Sequence, residues 1–164
     1  MRIFATGRTA YTLVNKDGSF AGSLIYTDNS LSEASLKCGE YIFTVGKQEG
    51  SWITAYSQDE KKIATIKVSL GGTVVLNINE KHYTFKKPLY WKLRFVVLNA
   101  DKKEIPELLP LVNWSRKCYD FVLQLNDELI CESDSFVILQ ALQSAVWSMA
   151  MMNGTLVATV GCIT

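Results

Sequence analysis

The chain has 164 residues, of which 48% are hydrophobic and 20% charged, and its formal net charge is +1. This length suffices for one domain with a sizeable core, and the composition is that of an ordinary globular protein. A net charge so close to zero provides no overall field that would attract nucleic acid, so we predict no nucleic-acid partner. Residues 1–8 are too short and too interrupted to resemble a signal peptide, which favours a cytoplasmic location.

Residues 10–132 have the pattern of short strands separated by turns, as expected of an all-β sandwich or barrel. In residues 63–70 apolar and polar side chains alternate, which is typical of a sheet with one face in water. Pro106 and Pro110 predict an irregular crossing or a broken edge strand over residues 105–112. The other predicted strands cover residues 10–15, 20–26, 40–45, 52–56, 73–78, 81–85, 90–98, 119–125 and 128–131.

The last thirty residues, 135–164, contain no Asp, Glu, Lys, Arg or His. Within them, residues 136–152 also lack Gly and Pro. They follow the potential N-cap residues 133–135 and precede an Asn-Gly C-cap signal at 153–154. We predict a helix over 136–152 that is apolar nearly all round and is therefore buried on every side. Residues 155–163 are predicted to form a last buried strand.

A helix without charge can be dissolved either in a membrane or in the core of the protein. Seventeen residues span about 26 Å at 1.5 Å per residue, slightly less than a hydrocarbon core. Gln140 and Gln143 are costly in lipid, and no Lys or Arg flanks the segment. These features favour the core, although a C-terminal tail anchor stays open as an alternative.

A core location requires strands around the helix. A closed antiparallel β-barrel of about twelve strands is too wide for side chains alone to fill, and one apolar helix would occupy its middle. We therefore predict a mainly β protein, a closed barrel around a central hydrophobic C-terminal helix, with residues 1–164 as a single domain.

The sequence resembles the tubby C-terminal-like superfamily, in particular its short LURP-one-related and scramblase-like members. The segments LQALQSAVWS at 139–148 and NGTLVA at 153–158 look like the tubby helix and final strand. Residues 63–74, with the turn LGGT at 70–73, look like the tubby strand pair around an L-x-G-T turn. The resemblance implies a non-enzymatic binding or scaffold domain whose ligands include anionic lipid head groups.

In tubby proteins a basic-x-basic pair on that strand holds phosphoinositide head groups. The matching positions are Thr65 and Lys67, so only half of the pair is basic. Lys92 and Arg94 repeat the local pattern elsewhere in the chain. The resemblance thus implies Lys67, Lys92 and Arg94 as candidate head-group residues, with anionic phospholipid or a protein as the partner.

Other basic residues in the middle of the chain would form a phosphate-binding patch if their exposed faces coincide. These are Lys61, Lys62, Lys81, Lys86 and Lys87. The alternative is a set of ordinary solvating lysines that protect strand edges.

The single histidine, His82, could pair with a cysteine as a catalytic dyad, but a solvated histidine at a strand end is the simpler interpretation. The cysteines are Cys38, Cys118, Cys131 and Cys162. Their spacing suggests no zinc site and favours free thiols. We predict no catalytic residue, metal or cofactor. A barrel that binds a small apolar ligand remains the second functional alternative.

Overall fold

The strands of this chain close into a barrel. The computed structural model describes residues 1–27, 29–68, 73–86, 94–113, 118–125 and 132–152. In these residues twelve antiparallel strands form one sheet, each pairing with its neighbours in the chain, and β1 pairs with β12 to complete the ring. The strands are β1 (Arg2–Ala5), β2 (Ala10–Val14), β3 (Phe20–Tyr26), β4 (Glu33–Cys38), β5 (Tyr41–Gln48), β6 (Ser51–Tyr56), β7 (Lys62–Val68), β8 (Val74–Ile78), β9 (Lys81–Lys86), β10 (Phe95–Leu98), β11 (Glu104–Asn113) and β12 (Cys118–Leu125).

The helix α1 (Glu132–Met152) occupies the interior of the barrel, as the uncharged sequence predicts. Between residues 135 and 150 every side chain is buried except Trp147 and Ala150, which are half-buried. The Phe136 ring packs edge-to-face on Phe43 of β5, with 4.9 Å between centroids. Nearer the other end of α1, Trp147 makes a similar contact with Trp52 of β6. The predicted fold class is therefore confirmed.

Alternation of apolar and polar residues sets which side chains meet α1. In β2, Tyr11 and Leu13 are buried while their neighbours are only half-buried, and β8 repeats the pattern with Val74 and Leu76. Because side chains alternate between the two faces of a strand, one row of each strand points inward and the other row points outward. No helix among the described ranges is both long enough and apolar enough to cross a membrane.

The structure corrects the prediction for residues 105–112, because β11 is a continuous strand of ten residues. Pro106 lies beside the register shift in the β10–β11 pairing, where the ladder is already interrupted. Pro110 lies beyond Leu108, the last β11 residue that pairs with β10. Both prolines therefore avoid the part of the ladder where a missing N–H would be most costly.

Three further features differ from the sequence prediction or extend it. The strands β1 and β4 were not predicted, and α1 begins at Glu132 rather than at residue 136, so that residues 133–135 lie in its first turn. The predicted strands 128–131 and 155–163 and the C-cap at 153–154 lie outside the described residues. Strand β12 pairs with β1 along one edge and with β11 along the other, so neither edge is left for a further strand.

An aspartate joins the two strands on either side of β12. The backbone N–H of Ala5 donates to Asp120 Oδ1 at 2.9 Å, and Asn113 Nδ2 donates to Asp120 Oδ2 at 2.7 Å. One carboxylate thus links β1 and β11 across β12, at the place where the ring closes.

Candidate functional site

Lys67 lies on the outer face of the barrel near the end of β7. Its inward neighbour Ile66 is buried, whereas Lys67 is exposed and forms no ion pair with any described carboxylate. The β7–β8 and β8–β9 registers place Lys67 opposite Val75, and Val75 opposite Thr84. The candidate is therefore accessible to a ligand approaching the outside of the wall.

A second lysine lies close to this position on the same outer face. Lys86 is exposed, two residues beyond Thr84 on β9, where the two side chains point to the same side of the sheet. Two strand spacings and two residues along the strand put the Lys67 and Lys86 Cα atoms about 12 Å apart. Two extended lysine side chains can span that gap and meet at one phosphate group.

Lys67 and Lys86 belong to the end of the barrel at which the odd-numbered strands finish, which we call the basic end. Lys47, near the end of β5, and Arg8, between β1 and β2, are exposed at the same end. Neither forms an ion pair with a described residue. The described acidic residues at this end are Glu33, Glu49 and Asp120, which pairs with Leu111 near the end of β11. Among the described residues, positive charges at this end therefore outnumber negative ones, although the whole chain is almost neutral.

The opposite end, which we call the mixed end, carries charges of both signs. Asp17, Glu40, Asp59, Glu60, Glu80 and Asp101 lie in its turns. Lys61, Lys62 and Lys81 of the sequence-predicted basic set also lie there, at the starts of β7 and β9 or just before. The structure thus separates these three lysines from Lys67 and Lys86 by the length of a strand. Lys87 and Lys92 lie outside the described residues.

Arg94 differs from Lys67 because its guanidinium is already engaged. Arg94 Nε donates to Glu107 Oε1 at 2.5 Å, and Nη2 donates to Glu104 Oε2 at 3.1 Å. The hydrogen bond to Glu107, with the charges of both carboxylates, raises the pKa of Arg94 above its ordinary value. An incoming phosphate would have to compete with two carboxylates, so Arg94 is a weaker anion ligand than Lys67.

Thr65 and its neighbours form a polar ladder across the outer face. Asn77 Nδ2 on β8 donates to Thr65 Oγ1 at 3.3 Å, and His82 Nδ1 on β9 lies 2.5 Å from Asn77 Oδ1. His82 is therefore bonded to an amide. Cys38 is half-buried on β4, and β5, β6, β7 and β8 lie between it and β9. Cys118 lies on β12, while Cys131 and Cys162 fall outside the described residues.

Exposed apolar side chains accompany the charges at the basic end. Leu111 and Val112, close to the end of β11, are 53% and 51% exposed, and Phe4 on β1 is 43% exposed. Sequence reasoning missed these residues, and it also missed Lys47 and Arg8. The strand order brings them to one end of the barrel, and no local motif in the sequence marks them.

Within the described parts of the chain, no group of three or more His, Cys, Asp or Glu side chains is arranged to hold a metal ion. No protein-family model, curated protein or solved structure matches the sequence. The geometry at the basic end is therefore the main guide to function.

Proposed function

We propose that the protein is a non-enzymatic binding module of tubby-like type that docks on membranes through anionic lipid head groups. The ligand groups are phosphates, and the residues that hold them are Lys67 and Lys86, with Lys47 and Arg8 adding positive charge. The observation that carries the proposal is the exposure of Lys67 and Lys86 on one outer face without a described counter-ion.

Charge and apolar exposure at the basic end complement each other for this task. Lysines near an anionic leaflet contribute about 1 kcal/mol each, and apolar side chains that enter the interface add to the binding. Leu111 and Val112 are more than half exposed at the end that carries the lysines. A bilayer surface would cover both kinds of side chain at once.

The resemblance to tubby-like proteins supports the same proposal. The closed barrel around a C-terminal helix is the architecture that the resemblance implies, and Lys67 occupies one position of the implied head-group pair. Thr65 occupies the other position and is bonded to Asn77, so it does not supply a second cation. On this hypothesis Lys86 on β9, two strands after β7, provides the second positive charge that Thr65 does not.

The alternative of a barrel that encloses a small apolar ligand has less support. The interior of such a barrel must be open, whereas here α1 occupies it with fully buried Leu139, Ala141 and Leu142.

Vesicle co-sedimentation tests the proposal. We expect the full chain to bind vesicles that contain a phosphatidylinositol bisphosphate and not vesicles of phosphatidylcholine alone. The double variant Lys67→Ala, Lys86→Ala should lose about 2 kcal/mol, which is roughly a 30-fold loss of affinity. Binding should also weaken steeply with salt, since the Debye length falls from about 10 Å at 0.1 M to about 3 Å at 1 M.

The same two strands provide the control. Lys62→Ala, Lys81→Ala removes the same charge from exposed positions on β7 and β9, but at the mixed end. This variant should bind as well as the unmodified protein. Equal losses of vesicle affinity in both double variants would show that only the overall charge matters. Absence of binding at low salt would refute the proposal.

A further inference from the structure

We infer that the core of the barrel holds ordered water between α1 and the β6 wall, bound by the side-chain amides of Gln140 and Gln143. The two residues are three positions apart on α1, so their Cβ atoms lie about 5–6 Å from each other on one face. Both side chains are buried, with 0% and 1% of their surfaces exposed.

The hydrogen bonds of these amides are incomplete. Gln140 Nε2 donates to Thr54 Oγ1 of β6 at 2.9 Å. Among the residues that the structure describes, Gln140 Oε1, Gln143 Nε2 and Gln143 Oε1 have no hydrogen-bond partner. Buried polar side-chain atoms in folded proteins nearly always have a partner, and where protein groups do not supply it, an internal water molecule does.

The chemistry of the unpaired atoms identifies the occupant. They comprise one donor nitrogen and two acceptor oxygens, so the bound molecule must both donate and accept hydrogen bonds. None of the buried side chains in the described parts of the chain is charged, which disfavours an ion. Water satisfies these requirements, and a buried water typically makes about three hydrogen bonds.

The facing wall has small side chains where the water would lie. Thr54 is fully buried, and the β6–β7 register pairs it with Ala64. The next inward residue of β7, Ile66, is much larger. A methyl group at 64 thus leaves more room beside the Gln140 amide than the side chain two residues further along.

Cross-relaxation between water and side-chain amide protons, measured by NMR on the isotope-labelled full chain, tests this inference. We expect direct cross-peaks from the Gln140 and Gln143 amides with the sign of water that resides for nanoseconds or longer. The amide of Gln124, exposed on β12, is the internal control and should show no such signal. Absence of the signal at both buried amides would overturn the inference.

A near-isosteric variant tests whether the two amides share their water. In Gln143→Met the cross-peak of Gln140 should weaken severalfold, because the shared water loses its other anchor. An unchanged Gln140 signal would overturn a shared site. An organic molecule found between the amides would overturn the assignment to water.

Discussion

The two sides of α1 meet the barrel in different ways. Towards β3 the contact is mostly apolar and very close: a Cβ atom built on Gly22 would lie 2.7 Å from Leu139 Cδ1. Towards β6 the contact is polar, because Gln140 Nε2 donates a hydrogen bond to Thr54 Oγ1. The helix is thus closely packed against β3, where its one hydrogen bond is long, and is held to β6 by a short side-chain hydrogen bond.

This difference shows how a uniformly apolar helix acquires a unique orientation. Hydrophobic burial has no direction, so a helix that is apolar nearly all round gains similar energy in many rotations about its axis. The close approach of Leu139 to Gly22 and the hydrogen bond from Gln140 to Thr54 are directional. Together they determine which face of α1 meets which strand.

The largest effect should come from a charge on the closely packed side. Leu142 is fully buried and shares a helix face with Leu139, three residues before it. We expect Leu142→Asp, and likewise Ala145→Arg, to abolish soluble expression. An unpaired buried charge costs several kcal/mol or more, and the whole fold is worth only about 5–15 kcal/mol.

A charge on the outer wall provides the matched comparison. Val122 is 40% exposed on β12, so Val122→Asp should express and unfold cooperatively with little change in stability. If circular dichroism showed cooperative unfolding of soluble Leu142→Asp as well, α1 would not be enclosed by the strands.

The interior helix could be predicted from sequence because it depends on a global property. A segment without charge, Gly or Pro between capping signals must be buried in a membrane or in the core of the protein. The barrel then follows from the number of strands. By contrast, β1 has only four residues, and β4 contains Glu33, Ser35 and Lys37, which have weak strand preference. Both strands are determined by pairing with their neighbours, which no local window reveals.

The candidate site was predictable only in part, for a similar reason. Lys67 stands in the clearest alternating strand of the sequence, so its exposure follows from the pattern. Its neighbour Lys86 and the two carboxylates that engage Arg94 are set by strand register over separations of ten residues or more. A period-two pattern gives the face of a residue and says nothing about which strand lies beside it.

Adding a single methyl group at Gly22 tests the close packing between α1 and β3. The Cβ of Gly22→Ala would lie 2.6 Å from the backbone oxygen of Lys37 on β4, which cannot move without disturbing the sheet. We expect a loss of about 1–3 kcal/mol from overpacking. At roughly 2–4 °C per kcal/mol for a protein of this size, Tm should fall by about 2–12 °C in thermal denaturation.

Gly46→Ala is the control for this substitution. Gly46 lies within β5, and a Cβ atom there would meet no heavy atom within 4 Å. Its Tm should stay the same or rise slightly, because alanine lowers the entropy of the unfolded chain. Equal losses at both positions would show that the effect comes from replacing glycine in a strand and not from the contacts with Lys37 and Leu139.

The smallest effect at neutral pH should come from Tyr26, whose hydroxyl group donates to the main-chain carbonyl of Gln143 at 3.5 Å. Burial, with a smaller contribution from Tyr11, raises the pKa of Tyr26 well above its ordinary value. Its contribution to stability is complete below the unfolded tyrosine pKa of about 10 and is lost as the pH rises further. Tyr26→Phe should cost less than about 1 kcal/mol at pH 7, since the hydrogen bond is long.

Denaturation of both proteins as a function of pH measures this effect. Phenylalanine has no proton to lose, so above pH 10 the unmodified protein should lose stability faster than Tyr26→Phe, and the difference between them should shrink or reverse. Tyr41→Phe removes a hydroxyl group from a residue that is 63% exposed and should change the stability at pH 7 very little. Parallel stability curves for the unmodified protein and Tyr26→Phe would mean that water reaches the Tyr26 hydroxyl group, and the β3 side of α1 would then not be the dry one.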